Sequence, residues 1–179
     1  MSQAPSSGDP QALAPARVAE LLHASQMLIV GELAGLGEDG GWHPGPGDWC
    51  AREVVGHLIE AERRGFAGRI RTMLDEHRPA FEAWDQVAVQ AERHDCDKES
   101  RALVDEFVTL RRESVALVKK LDAAALRRSG VHPKVGELFV PDLLHEWVHH
   151  DRNHTRQLLS ITMERVWPHL GNAQGFAGE

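Results

Sequence analysis

Residues 145–154 read HEWVHHDRNH, with histidines at 145, 149, 150 and 154. Neutral imidazole is a common metal ligand, and two histidines four apart on a helix sit one turn apart on the same face. Their ring nitrogens can then reach one ion at roughly 2.0–2.1 Å. The segment holds two such pairs, His145/His149 and His150/His154. A third ligand must come from another element, and His57 in EVVGHLIEAE is the best placed. It lies on a stripe with Cys50, Val54, Ala61, Gly65 and Gly68, whose mostly small side chains leave room beside a site. The plain alternative is a set of histidines that rim a core and hydrogen-bond to neighbours, with no ion.

The helices decide which pair points inward. Each residue turns an α-helix by about 100°. Taking His145 as origin, His149 falls near 40°, His150 near 140° and His154 near 180° by that rotation. Leu143, Trp147, Leu158 and Ile161 cluster with the latter two, so His150 and His154 lie at the edge of the buried face. His145 and His149 share their side with Asp142, Asn153 and Arg156, a solvated face. His57 and the inward pair each lie about nine to thirteen residues into their helices, similar heights if the helices are antiparallel.

Four long helical patterns are readable. The first starts at Pro15 and carries Val18, Leu21, Leu22, Leu28, Ile29 and Leu33 at 3-4 spacing. The run EDGGWHPGPG ends it. Asp48 is placed to cap a second helix, WCAREVVGHLIEAERRGFAGRIRTML, which ends before Pro79. A long connection with a short helix inside leads to a third helix from about Ser100 to Leu121, striped by Leu103, Phe107, Leu110 and Val118. LRRSGVHPKVGE reads as a loop, and Pro141 suits the first turn of a fourth helix from about Val140 to Arg165. No strand is expected, so the fold class is an all-α four-helix bundle. The long link between helices 2 and 3 is enough to leave them parallel. Residues 1–14 and 169–179 are expected to be tails around a domain spanning 15–168.

The chain has 179 residues, one domain's worth, and a net charge of −7. That excess of acid argues against a nucleic-acid partner, which would show clustered Lys and Arg. Two cysteines, Cys50 and Cys96, form no pairing pattern, and Cys50 reads as a small core residue. The N-terminus MSQAPSSGDPQALAPAR lacks a basic start and an apolar run, so the expectation is a cytoplasmic, reduced protein without membrane contact. Trp49, Trp84 and Trp147 read as packing residues. His23, His43, His77, His94 and His169 share no spacing and read as surface residues, and His132 as part of a loop turn.

Three passages together resemble the DinB-like superfamily of metal-binding four-helix bundles: WCAREVVGHLIEAERR, GVHPKVGELFVPDLLHEW and HDRNHTRQL, in that order. The likeness spans roughly residues 16–165. It implies an up-down-down-up bundle, a metal triad on His57, His150 and His154, and a homodimer. The helical rotation selects the same inward pair independently. Relatives implied by the resemblance include thiol-dependent transferases and isomerases that use bacillithiol or mycothiol.

Three imidazoles leave an ion with open positions, the layout of a catalytic site. Nitrogen ligands suit zinc or nickel, with copper, iron and cobalt also compatible. The leading expectation is a thiol-dependent transferase, with a low-molecular-weight thiol activated for attack on a small electrophile. The alternatives are a metal-assisted hydrolase and a non-catalytic, metal-stabilised binding or stress-response protein. Glu62 and Asp151 are the candidates to orient the imidazoles, against a plainer role in ion pairs with Arg63, Arg69 or Arg111.

Overall fold

The computed structural model describes residues 12–176. Helix α1 runs Pro15–Leu36, with proline in its first turn where no amide partner is lost. Helix α2 runs Ala51–Glu60, a wider π turn follows at Ala61–Gly65, and α3 continues at Ala67–Asp75. A short α4, Gln86–Arg93, lies in the crossover, capped by the Asp85 carboxylate. Helix α5 spans Ser100–Lys119 and α6 spans Val140–Val166. The long elements α1, α2–α3, α5 and α6 form the helical bundle expected from the four apolar patterns.

Several local expectations are corrected. The cap of α2 is Cys50 rather than Asp48: the Glu53 carboxylate accepts from the Cys50 amide at 2.8 Å, closing a capping box. The second helix is not continuous, because Phe66 N donates to Ala61 O five residues back at 2.9 Å. Gly68 fits this widened turn, since a Cβ there would overlap the Arg63 carbonyl. The expected loop at 126–137 instead begins a hairpin, β1 (Ser129–His132) paired antiparallel with β2 (Gly136–Phe139). Strands of four residues are too short for alternation to show in sequence. His132 therefore ends a strand. Residues 171–176, expected as tail, form a helical turn.

Cys50 and Cys96 are bonded as a disulfide, where two free thiols were expected. The crossover folds back onto α2 to bring them together, which no local spacing announces. Its hold is ionic as well: Arg93 donates to Asp95 at 2.6 Å and to Glu60 at 2.8 Å. Gly56 leaves the space, for a Cβ there would overlap the Asp95 carboxylate. No helix among the described residues is long and apolar enough to cross a membrane.

The core has two apolar clusters. One gathers Val18, Leu22, Phe66, Ile70, Met73 and Trp147; the other Ile29, Leu33, Val54, Leu58, Phe107 and Leu158. Arg111 of α5 bridges them, its guanidinium 5.0 Å from the Phe107 ring and 5.6 Å from Trp147. It has no solvent exposure. It donates to Glu62 at 2.8 Å, to both Asp151 oxygens and to the Leu22 carbonyl at 3.0 Å. Ser114 and the Trp147 indole N–H also donate to Glu62. Burial works against the Arg111 charge, yet Asp151 and Glu62 outweigh it and hold its pKa above the ordinary arginine value. Burial lifts the Glu62 carboxyl above the usual range, opposed by Arg111 and Ser114.

Removing one member of such a network leaves uncompensated buried charge. Arg111→Leu should therefore lose about 3–5 kcal/mol in urea unfolding. A loss within about 1 kcal/mol, the range of an exposed pair, would mean the carboxylates regain water when the guanidinium goes.

Candidate metal centre

His57 sits in the middle of α2, a helix buried on nearly every side between Val54 and Glu60. It is itself 3% exposed, not a residue of the helix edge. His150 and His154 stand one turn apart on α6, both half-buried. The three come together: one donor atom from each lies within 4.8 Å of the others. His57 Nε2 and His150 Nε2 are 3.1 Å apart. That is a hydrogen-bond distance, and it is also near the roughly 3–3.5 Å between two nitrogens sharing one ion at 2.0–2.1 Å. The outward pair goes elsewhere. His149 is exposed, and His145 Nδ1 donates to the Pro141 carbonyl at 2.7 Å.

The hydrogen bonding favours lone pairs directed at a common point. His154 Nδ1–H donates to Gln157 Oε1 at 2.9 Å, which leaves its Nε2 unprotonated. His150 Nδ1 is buried with no hydrogen-bond partner. The donor set, three imidazole nitrogens, fits a borderline transition metal. Glu62 and Asp151 both engage Arg111, and neither hydrogen-bonds a triad imidazole.

Aromatic rings wall the cluster. Trp49 and Trp84 lie 5.3 and 5.9 Å from the His57 ring, and Phe66 lies 5.2 Å from His150. Gln157 and the two tryptophans were not anticipated at the site. Gln157 had a signal, three residues after His154 on the same helix face. Trp84 had none, for it arrives from the crossover. Trp49 also lines a cavity of about 300 Å³ with His43, Glu53, Val87 and Gln90. Gln90 is buried, and its amide nitrogen has no hydrogen-bond partner.

The same enclosure sets the charge state. Burial, then the neighbouring His154, pulls the His57 pKa down to about 4. Burial, then His154, His57, Arg111 and His149, pulls His150 down to about 3. His154 is lowered by burial, against the pull of Gln157 and Asp151. All three are neutral near pH 7, the form a metal needs. In the unfolded chain each titrates near 6.5, so the folded state resists protonation that the unfolded state accepts. Their contribution to stability is full above about pH 6.5 and is lost as pH falls toward the folded values. The chelated, metal-free chain should thus lose about 1.4 kcal/mol per pH unit for each such histidine. Urea unfolding from pH 6.5 to 5 checks it, and the His57→Gln/His150→Gln variant should show a flatter profile. Parallel profiles for the two proteins would place the acid sensitivity elsewhere.

Comparison with known proteins agrees with this architecture. The superimposable structures include YfiT from Bacillus subtilis, 17% identical, with a TM-score of 0.77 over 92% of this chain and 93% of that one. YfiT is described as "a probable metal-dependent hydrolase with an unusual four-helix bundle topology". At that identity the likeness establishes the fold. No curated protein matches this chain in sequence. The family model described as the DinB superfamily matches residues 19–158, a span that holds most of α1, most of α6 and everything between, with all three converging histidines, and the chain belongs to that superfamily.

Proposed function

We propose that the chain is a metal-dependent enzyme acting on a small molecule, with His57, His150 and His154 holding one divalent transition metal and hydrolysis as the reaction. The convergence of three neutral imidazoles from two helices, donor atoms within 4.8 Å, carries this reading. An ion bound there would supply Lewis acidity and make water nucleophilic near neutral pH. Three protein ligands leave coordination positions for it, and zinc or nickel suits the nitrogens.

The chain's own groups divide the remaining work. Gln157 orients His154 through Nδ1. Trp49 and Trp84 cover the His57 ring and keep bulk water from that side. Gln90 offers an unsatisfied amide N–H to a polar group in the neighbouring cavity. The description of YfiT supports hydrolysis over thiol transfer. Transfer to or from bacillithiol or mycothiol rests on the family resemblance alone. The reading takes the bundle in up-down-down-up order, supported by contacts of Arg52 with Ser100 and of Glu62 with Ser114, which climb α2 and α5 in the same direction. It takes the chain as a homodimer, supported by exposed Met27 and Leu28 on α1 and Leu159 and Met163 on α6.

The test is elemental analysis of untagged protein, followed by ester, amide and thiol-plus-electrophile panels before and after chelation. About one metal per chain is expected, lost in His57→Ala and His154→Ala and kept in His149→Ala. Hydrolysis should fall by at least about a hundredfold in the first two, the scale of losing a metal-activated nucleophile. Metal without hydrolysis but with thiol turnover would replace the reaction and keep the site. No metal after reconstitution would leave a binding module. Loss in His149→Ala alone would put the site on the other face of α6.

A further inference from the structure

A second set of donors lies two helical turns before His57, at the start of α2. His43, Cys50, Glu53 and Cys96 each offer one ligand atom, and these four atoms lie within 4.8 Å of one another. They come from three separate segments: the loop before α2, the first turn of α2, and the 3-10 turn Asp95–Asp97 that follows α4. His43 read as a lone surface residue in sequence, and it is exposed, but both its nitrogens are placed. Its Nδ1–H donates to the Asp48 carbonyl at 2.7 Å, which leaves the lone pair on Nε2, 3.3 Å from Cys96 Sγ. Glu53 Oε2 accepts from the Cys50 amide at 2.8 Å and lies 3.8 Å from His43 Nδ1. Arg52 donates to the Cys96 carbonyl at 3.0 Å and fixes that turn against α2.

We propose that the reduced chain binds one Zn²⁺ through His43 Nε2, Cys50 Sγ, Glu53 and Cys96 Sγ, and that formation of the Cys50–Cys96 disulfide closes this site. Two thiolates, an imidazole and a carboxylate make a four-coordinate, borderline-soft set that selects zinc over magnesium or calcium. The 3.3 Å between His43 Nε2 and Cys96 Sγ fits two ligands sharing one ion with bonds of roughly 2.0–2.3 Å. The two cysteine Cα atoms are 6.8 Å apart, at the wide end of the disulfide range, so side-chain rotation can seat both sulfurs around an ion. Cys50 caps α2, where the helix N-terminus favours a thiolate.

The chemistry balances with a dithiol as reductant. The dithiol gives two electrons and two protons to the S–S bond and closes into its own disulfide, leaving Cys50 and Cys96 as thiols. Zn²⁺ then displaces both thiol protons to solvent. In reverse, a disulfide oxidant takes two electrons from the two thiolates, the Cys50–Cys96 bond forms and the ion leaves. Either way the crossover stays fastened to α2, by a covalent bond in one form and by an ion in the other.

The full-length chain, reduced with a dithiol that is then removed under argon, is titrated with Co²⁺. The readout is thiolate-to-cobalt charge-transfer absorption in the near ultraviolet. The three-histidine cluster has no sulfur and cannot produce it, so this test is independent of the function proposed above. The band should saturate at one thiolate-bound Co²⁺ per chain, counted beyond whatever the oxidised chain takes up, vanish on adding Zn²⁺, and be absent from the oxidised chain. His43→Ala and Glu53→Ala should each weaken Co²⁺ binding at least tenfold, and Cys96→Ser should abolish the band while far-ultraviolet dichroism stays helical. The wild-type comparison of reduced with oxidised chain needs no variant to fold. No band in the reduced chain overturns the proposal. So does a band of unchanged affinity in both His43→Ala and Glu53→Ala, which would mean a bare pair of thiols.

Discussion

Arg111 has no contact with solvent, and its guanidinium reaches the other three long elements of the bundle: the Leu22 carbonyl of α1, Glu62 in the π turn and Asp151 of α6. A cation without water must find its hydrogen bonds in the protein. Three helices are therefore fixed in height and rotation against α5. Apolar packing alone would tolerate a slip of one helix past another more readily, since hydrophobic contact has no direction. The histidines inherit this register. His150 and His154 flank Asp151 on α6, and His57 stands just before the turn that carries Glu62. Whatever holds Glu62 and Asp151 on one guanidinium also holds the three imidazoles toward one point.

The π turn is the second half of that arrangement. Within a regular helix, residues five apart face different directions; an i→i+5 bond brings them closer to one face. The Phe66–Ala61 bond makes such a turn just after His57; His57 and Glu62 are five apart, and Glu62 and Phe66 both meet Trp147 of α6. Phe66 stacks on Trp147 at 5.2 Å and meets the edge of His150 at the same distance. One widened turn thus lets a single rod supply a metal-type ligand, a buried carboxylate and an aromatic wall to the same neighbour. Its local demand falls at Gly68, where any side chain would strike the carbonyl of Arg63.

What could be read from sequence was what helical periodicity encodes. The rotation separating His150 and His154 from His145 and His149 is local arithmetic, and the bundle keeps it. That Glu62 and Asp151 pair with an arginine was also legible, because buried charge must be matched, but the choice of Arg111 over Arg63 and Arg69 was not. The features that escaped depend on chain reversal or on turn geometry. Cys50 and Cys96 are 46 residues apart and meet only because the crossover returns to α2. Trp84 reaches His57 by the same path. The π turn leaves the apolar pattern unchanged over its five residues, and four-residue strands fall below the length at which alternation is informative.

Charge balance ties the two halves of the interior together. Glu62 and Asp151 carry two formal negative charges against the single positive charge of Arg111, so the buried network is one cation short of neutral when both carboxyls are ionised. Burial already pushes the Glu62 carboxyl toward its neutral form, which is one way to relieve the excess. Protonating the adjacent histidines would be another, but their own burial, the other imidazoles and, for His150, Arg111 hold them neutral. The network reaches the imidazoles unequally: Asp151 favours positive charge at His154, while Arg111 disfavours it at His150. The bundle therefore keeps three converging imidazoles free of protons chiefly by burying them, with the charged network beside them adding opposite pulls at His150 and His154.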